Sequence, residues 1–336
     1  MNSYGLRKKI NFGAQKNKSS LYMLTRRHIR TKVAQSIYAT KHSNLQGLKN
    51  EEKFLNKSMQ DMFELFIVNL NLLVSIQKRA KEYYKQSQKK RLASEEDKSP
   101  NLKFIDNRLL KKIKNSNSLD KINHQKKLDI WAFDDEYPAL IWDNIKSSEI
   151  YEAYLNNPKD SYDEDKSFII DLFNEIIAPN DKLYEYFEDH KLTWIDDLPI
   201  VNTNLVRFLK FIPKNTKDLR FPDLFKNEDD HEFGLDLLQK TLLNEEEFSK
   251  DIVKNTKNWD KERIADLDYI MLIMACCELT RFSSIPVKVT INEYLEIAKD
   301  YSTPKSSNFI NGLLDKIVKQ YKSENRLNKS GRGLIE

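Results

Sequence analysis

Arg26, Arg27, Arg30 and Lys41, with Tyr38 among them, are the residues whose types and spacing point most directly to a chemistry. Placed on a helix at about 100° per residue, the four cations and the ring share one stripe roughly 120° wide. Cations neutralise phosphates and an aromatic ring stacks on a base, so the pairing suits a single-stranded nucleic acid. A solvated amphipathic helix with Tyr38 half-buried would leave the same pattern, and the helix by itself does not separate the two. The surrounding composition adds weight to binding. Residues 1–50 hold eleven Lys and Arg and no Asp or Glu. An acid-free basic stretch of that length attracts polyanions such as RNA.

Other chemistries find little support. There is no GxGxxG or P-loop pattern, no G-x-S-x-G, no H-E-x-x-H and no cysteine placed near a histidine. Cys276 and Cys277 are adjacent, too close to bridge each other, and sit in an apolar run. They read as core residues in a reducing cytoplasm. The five histidines fall at no ligand spacing, so neither a metal nor another cofactor is expected. Acid pairs such as Asp134–Asp135 and Asp196–Asp197 are ordinary in an acidic segment. The expected protein is therefore a binder and not an enzyme. No membrane association is expected either, because the most apolar run, Met62–Ile76, is short and interrupted by Glu64, Asn69 and Asn71.

Seven glycines in 336 residues is few, which favours long helices over a turn-rich β fold. The helix carrying the basic stripe should run from the N-cap Thr25 to about Lys41, burying Ile29, Val33 and Ile37. A longer helix is expected over Lys57–Arg91. A polar loop with a short helix at Asn107–Ile113 should follow. Helices near Pro138–Leu155, Glu164–Ile177, Asp181–Glu188 and Val201–Phe211 come next, with Trp131, Trp142 and Trp194 as core anchors. Residues 129–200 carry nineteen acids against five lysines. From Asp229 the pattern is helical again, and a packed central helix should begin near Lys261 and include Ile270–Cys277. Pro286 opens a segment whose Val287, Val289, Thr290 and Ile291 leave strand and helix both open. Phe309, Leu313 and Ile317 favour a final helix despite the turn-forming Asn311-Gly312. The glycine there would be explained by a neighbouring helix packed too close for a Cβ.

The C-terminal third resembles the NusB family. The resemblance rests on Trp259–Asp268 leading into the apolar helix, then on Ile285-Pro-Val-Lys288-Val-Thr-Ile-Asn292-Glu293. Glu296-Ile-Ala-Lys299 and Ser306-Ser-Asn-Phe309-Ile-Asn311-Gly312-Leu-Leu-Asp315 follow in the family's order. Arg26-Arg27-His28-Ile29-Arg30 and Gln35-Ser-Ile-Tyr38 are similar to the family's arginine-rich first helix. The resemblance implies an all-α, NusB-like helical bundle, here with a large additional helical insert. It implies a transcription antitermination factor of ribosomal RNA operons that binds boxA-like single-stranded RNA together with NusE, a small-subunit ribosomal protein. Contact with the RNA polymerase elongation complex would be indirect. Carried over residue by residue, the RNA-binding candidates are Arg26, Arg27, Arg30, Gln35, Tyr38, Lys305, Ser306 and Phe309. Asp268 matches a position that faces NusE, and a buried structural carboxylate fits the same pattern. Asn292, Glu293, Asn311 and Gly312 read as structural.

The division expected from these features is a flexible basic extension over 1–22, the arginine-rich first helix over 23–45 and the insert over 46–227. The bundle over 228–322 and a flexible basic tail over 323–336 follow. The opening 22 residues have a transit-peptide-like composition, and Met23 stands directly after them as an alternative start. A ribosome-assembly or RNA-chaperone factor would use the same RNA surface. A methyltransferase system, the other setting of NusB-like domains, would need a glycine-rich cofactor loop and a catalytic cysteine that this chain does not show. The acidic insert and the basic first helix, lying in one chain, are expected to be able to meet.

Overall fold

The computed structural model describes residues 21–42, 47–92, 94–256 and 264–334, and those residues form an all-α molecule. The elements in order are α1 (Arg26–Lys41), α2 (Leu48–Ser87), α3 (Glu95–Lys98), α4 (Arg108–Lys114) and α5 (Asn117–Lys126). Then come α6 (Glu136–Lys146), α7 (Glu149–Asn156), α8 (Tyr162–Leu172), α9 (Asp181–His190) and α10 (Leu198–Phe211). The C-terminal part is α11 (Glu228–Leu243), α12 (Glu245–Asn255), α13 (Asp266–Arg281), α14 (Val287–Tyr301) and α15 (Ser306–Ser323). The only extended pairing among the described residues is an isolated bridge from Tyr22 to Asp223.

Local chemistry accounts for most boundaries. Thr25 caps α1 through a reciprocal box with His28, as its position before the first apolar residue requires. The single helix expected over Pro138–Leu155 is two, because Ser148 caps a new start by accepting the Tyr151 amide. Ser116, read as loop, likewise caps α5 by accepting the Leu119 amide. The β-branched residues after Pro286 are helical. Thr290 donates its hydroxyl to Glu278 of α13 at 2.8 Å, and Tyr294, Ile297 and Ala298 are buried below it, so packing overrides strand propensity.

α13 is the central helix of the C-terminal part, with everything from Asp268 to Thr280 buried. It packs against α1, α11, α12, α14 and α15. Cys276 and Cys277 lie fully inside, and burial pushes both thiols up to about 12.

The insert is built around α2, which packs against α1 and α11 as well as α4, α6 and α10. α2 is long and apolar enough to cross a membrane, but 72% of that window is buried inside the fold, as in a core helix. Trp131 and Trp194 donate their indole N–H to the Val68 and Asp61 carbonyls of α2, at 2.8 and 3.1 Å. Trp142 stacks on Phe104. All three tryptophans are anchors, as their setting implies. The buried side chains of insert and bundle form one continuous apolar cluster.

The flexible extension falls mainly on residues 1–20, outside the described residues. The tail packs against the bundle: the Ser330 amide donates to the Ser283 carbonyl at 3.0 Å, and the Lys329 ammonium donates to the Glu278 and Phe282 carbonyls. Gly333 lies directly against Ser283, where a Cβ would not fit.

Candidate nucleic-acid interface

α1 lies between the insert and the C-terminal bundle, packed on α2, α11 and α13. It comes close to α11 at Gly234, where a Cβ would stand 2.8 Å from the Ile29 side chain. That contact fixes how far the basic edge stands from the bundle. Every cation of α1 then meets a carboxylate. Arg26 pairs with Asp230 at 2.8 Å, Arg27 with Glu293 at 2.9 Å, Lys32 with Asp197 and Lys41 with Glu245. Arg30 makes a fork to Glu278, both bonds at 2.8 Å.

Exposure separates these pairs. Arg26 and Arg27 are each 41% exposed and can reach a phosphate; Arg27 leaves a partly exposed Glu293 at a cost of about 0–1 kcal/mol, whereas Asp230, the partner of Arg26, is buried. Arg30 is 2% exposed and Glu278 is fully buried. Burial alone would lower the Arg30 pKa, but the Glu278 carboxylate more than offsets it and holds the guanidinium above its ordinary value. Arg30 therefore belongs to the core, although its spacing put it with the binding residues. Arg26 and Arg30 both lie over the Phe233 ring, at 4.9 and 5.0 Å. His28 is pushed below its usual value by burial, so it adds no cation near neutral pH.

A cleft of about 860 Å³ opens at the N-terminal end of α1 and brings in two cations the sequence pattern did not suggest, Lys226 and Arg332. Both are exposed, and among the described residues neither is ion-paired. A second cleft, of about 750 Å³, shares Arg27 and His28 with the first. It runs between α1 and the insert to Asp300 and Tyr301. A third, of about 330 Å³, shares Thr31, Asp196 and Tyr301 with the second and reaches Gln35 and Tyr38. The clefts thus form one furrow along α1, basic at one end and aromatic at the other. Tyr38 is 44% exposed, with His42 against it at 4.4 Å.

The remaining candidates gather at the start of α15. Lys305 is exposed at the N-cap position and makes no ion pair among the described residues. Ser306 is buried and shares hydroxyl hydrogen bonds with Ser302 and Thr303 at 2.9 Å. Phe309 is half-buried against the core. Asp268 is 5% exposed and accepts the Ser302 hydroxyl at 2.6 Å, so it holds this loop rather than presenting a surface. Glu293 is structural in the sense expected, pairing with Arg27 and Arg30. Gly312 is not: it is exposed, and a Cβ there would meet nothing within 4 Å. Asn292 and Asn311 are exposed too. The Trp259–Arg263 part of the motif lies outside the described residues.

The model of the NusB family matches residues 210–319. This stretch is a NusB-family domain. Transcription antitermination protein NusB of Salinibacter ruber is 45% identical over 104 residues, which are 31% of this chain and 65% of that protein. The protein of the same name from Chloroherpeton thalassium is 39% identical over 105 residues, 31% of this chain and 50% of its own length. That from Acetivibrio thermocellus is 42% identical over 93 residues, 28% of this chain and 64% of its own. The chain thus spans between half and about two thirds of the curated relatives it matches. No solved structure matches the chain.

The NusB-family match does not extend to α1. Packing supplies the connection: α1 is seated on α11 and α13 of the NusB-family domain, with Glu278 and Glu293 of that domain gripping Arg30 and Arg27. The acidic insert also meets α1, through the buried Lys32–Asp197 pair and through Gln35, which donates to Asp196 at 3.0 Å. Burial pushes Asp197 up to about 6 against the pull of Lys32.

Proposed function

We propose that this protein is an RNA-binding transcription antitermination factor of ribosomal RNA operons. It acts in the cytoplasm, without chemistry of its own, on boxA-like single-stranded RNA held jointly with NusE. The observation that carries the reading is the seating of α1 on the NusB-family domain. It leaves Arg26 and Arg27 exposed beside Lys226 and Arg332, at the head of a furrow that ends at Tyr38. Exposed cations take phosphates and the ring takes a base, which is what a single strand requires. Gln35, Lys305 and the half-buried Phe309 extend the same surface, and Ser306 holds the loop beneath it through Ser302 and Thr303. Arg30 contributes by holding α1 in place. Asp268 acts on NusE and RNA through the loop it anchors.

Titration of the full chain with boxA-like RNA, with and without NusE, tests the reading. NusE should tighten RNA binding, and RNA should tighten NusE binding by the same factor. Independent binding would remove NusE from the reading. A termination assay on a ribosomal leader template then separates antitermination, which raises read-through, from ribosome assembly, which leaves it unchanged.

A further inference from the structure

The narrow end of the furrow carries more than an aromatic edge. Its walls are Gln35 and Tyr38 of α1, Tyr301 at the end of α14, and Leu192, Thr193 and Asp196 of the insert's turn 192–197. At about 330 Å³ it lies near the small end of ligand pockets, which run from roughly 300 to 1,000 Å³, and it suits one flat ring system better than a length of chain. The lining is mostly apolar, and Leu192 stands 71% exposed with its side chain open to whatever enters. Of the polar groups that interrupt it, two belong to the insert's turn. The Thr193 hydroxyl is buried and has no hydrogen-bond partner among the described residues. The Asp196 carboxylate is exposed and, among the described residues, accepts one side-chain hydrogen bond, from the Gln35 amide, a contact that water or a ligand can replace.

We propose that this groove is a nucleobase pocket, in which one unstacked guanine of the bound RNA lies against Tyr38 with its Watson–Crick edge at Asp196 and Thr193. The inference rests on the RNA-binding reading above and adds the base it selects. A carboxylate here repels a phosphate, so the backbone follows the cations while the groove receives a base. Asp196 is acceptor-only when ionised and prefers an edge with adjacent N–H donors. Guanine presents two, N1–H and N2–H. Uracil offers one N–H between two carbonyls, and the amino groups of adenine and cytosine each stand beside a ring nitrogen that only accepts. Once the Thr193 side chain turns toward the groove, the guanine O6 gives its stranded hydroxyl an acceptor, and an unsatisfied buried group favours that exchange. Continuity supports the placement, because Thr31, Asp196 and Tyr301 line both this groove and the cleft that reaches Arg27. Arg27 and Tyr38 are about 16 Å apart along the helix, a span that a few nucleotides cover. The turn 192–197 lies outside the NusB-family match, so the reader is a property of the insert.

Binding of short fluorescein-labelled uridine oligomers carrying one central guanosine, adenosine or cytidine, with the all-uridine parent, tests this on the full chain. Wild type should prefer the guanosine oligomer about tenfold, within the range of one bidentate base contact. Asp196→Asn should bring the ratio close to one, and Thr193→Val should lower it several-fold, each with an unchanged urea midpoint showing an intact fold. Arg26→Ala/Arg27→Ala should weaken all four oligomers together. Equal wild-type affinity for all four, with dependence on Arg26 and Arg27 retained, would overturn the pocket and leave the RNA reading standing. Asp196→Asn tightening all four equally would make the turn an electrostatic screen and overturn it as well. No binding to any of the four would remove the RNA reading and the pocket with it.

Discussion

Arg30→Met removes a guanidinium that is 2% exposed and leaves Glu278, fully buried, without its ion-pair partner. Thr290 still donates to one carboxylate oxygen, but the two 2.8 Å bonds from Arg30 are gone. Breaking a buried pair in this way costs about 3–5 kcal/mol, because the surviving charge keeps its desolvation penalty. With an m-value of about 2–3 kcal/mol/M, the urea midpoint should fall by roughly 1–2 M. Arg30→Met/Glu278→Leu should regain most of that loss, since replacing both partners by apolar groups is often neutral. Arg27→Met is the comparison. Its pair with Glu293 is partly exposed, so stability should change by about 1 kcal/mol while RNA affinity falls. Urea unfolding followed by far-UV circular dichroism reads all three. A loss below about 1 kcal/mol for Arg30→Met, with RNA affinity reduced as much as in Arg27→Met, would refute the assignment of Arg30 to the core.

Gly234→Ala should destabilise despite the better helix former. The Cβ would stand 2.8 Å from Ile29, and overpacking costs about 1–3 kcal/mol against about 1 kcal/mol of helix propensity; an unfolding midpoint at or above wild type would contradict it. Asp268→Ala should speed hydrogen exchange at residues 302–306 and weaken RNA and NusE binding together, leaving exchange in α2 unchanged; loss of NusE binding alone would mean direct contact. Asp197 supplies a pH dependence. Its folded value of about 6 lies above the usual carboxylate value of about 3.9, so the folded state takes up the proton first. The stability from this group is therefore fully present below about pH 4 and is lost as pH rises to about 6. Wild type should show this fall in urea midpoint and Asp197→Asn should not; parallel curves would count against it.

Local pattern carried much of the fold. Thr25 at the head of an apolar repeat defined α1, and the apolar run through Cys277 marked α13, because caps and helical periodicity are written in neighbouring residues. Partners far apart in sequence were not legible. Arg30 and Glu278 are 248 positions apart, and Lys32 and Asp197 are 165 apart, so nothing local distinguishes a cation bound for the core from one bound for phosphate. The same blindness misassigned glycine. Close approach occurs at Gly234, inside an unremarkable helix, while Gly312, in the motif that drew attention, faces open space. Arg332 reaches the site because the tail folds back on Ser283, and Lys226 because residues 23 and 24 donate to the carbonyls of Asp223 and Leu224, contacts with no sequence signature.

The salt dependence of RNA affinity tests the central claim most directly. If Arg26, Arg27, Lys226, Arg332 and Lys305 each neutralise one phosphate of a single strand, log K against log salt should have a slope of about −3.5. Replacing Arg26 and Arg27 by alanine should leave a slope of about −2, with a cooperative urea transition showing that the variant still folds. A slope unchanged in that variant would place the RNA elsewhere on the molecule and contradict the assignment of the α1 furrow.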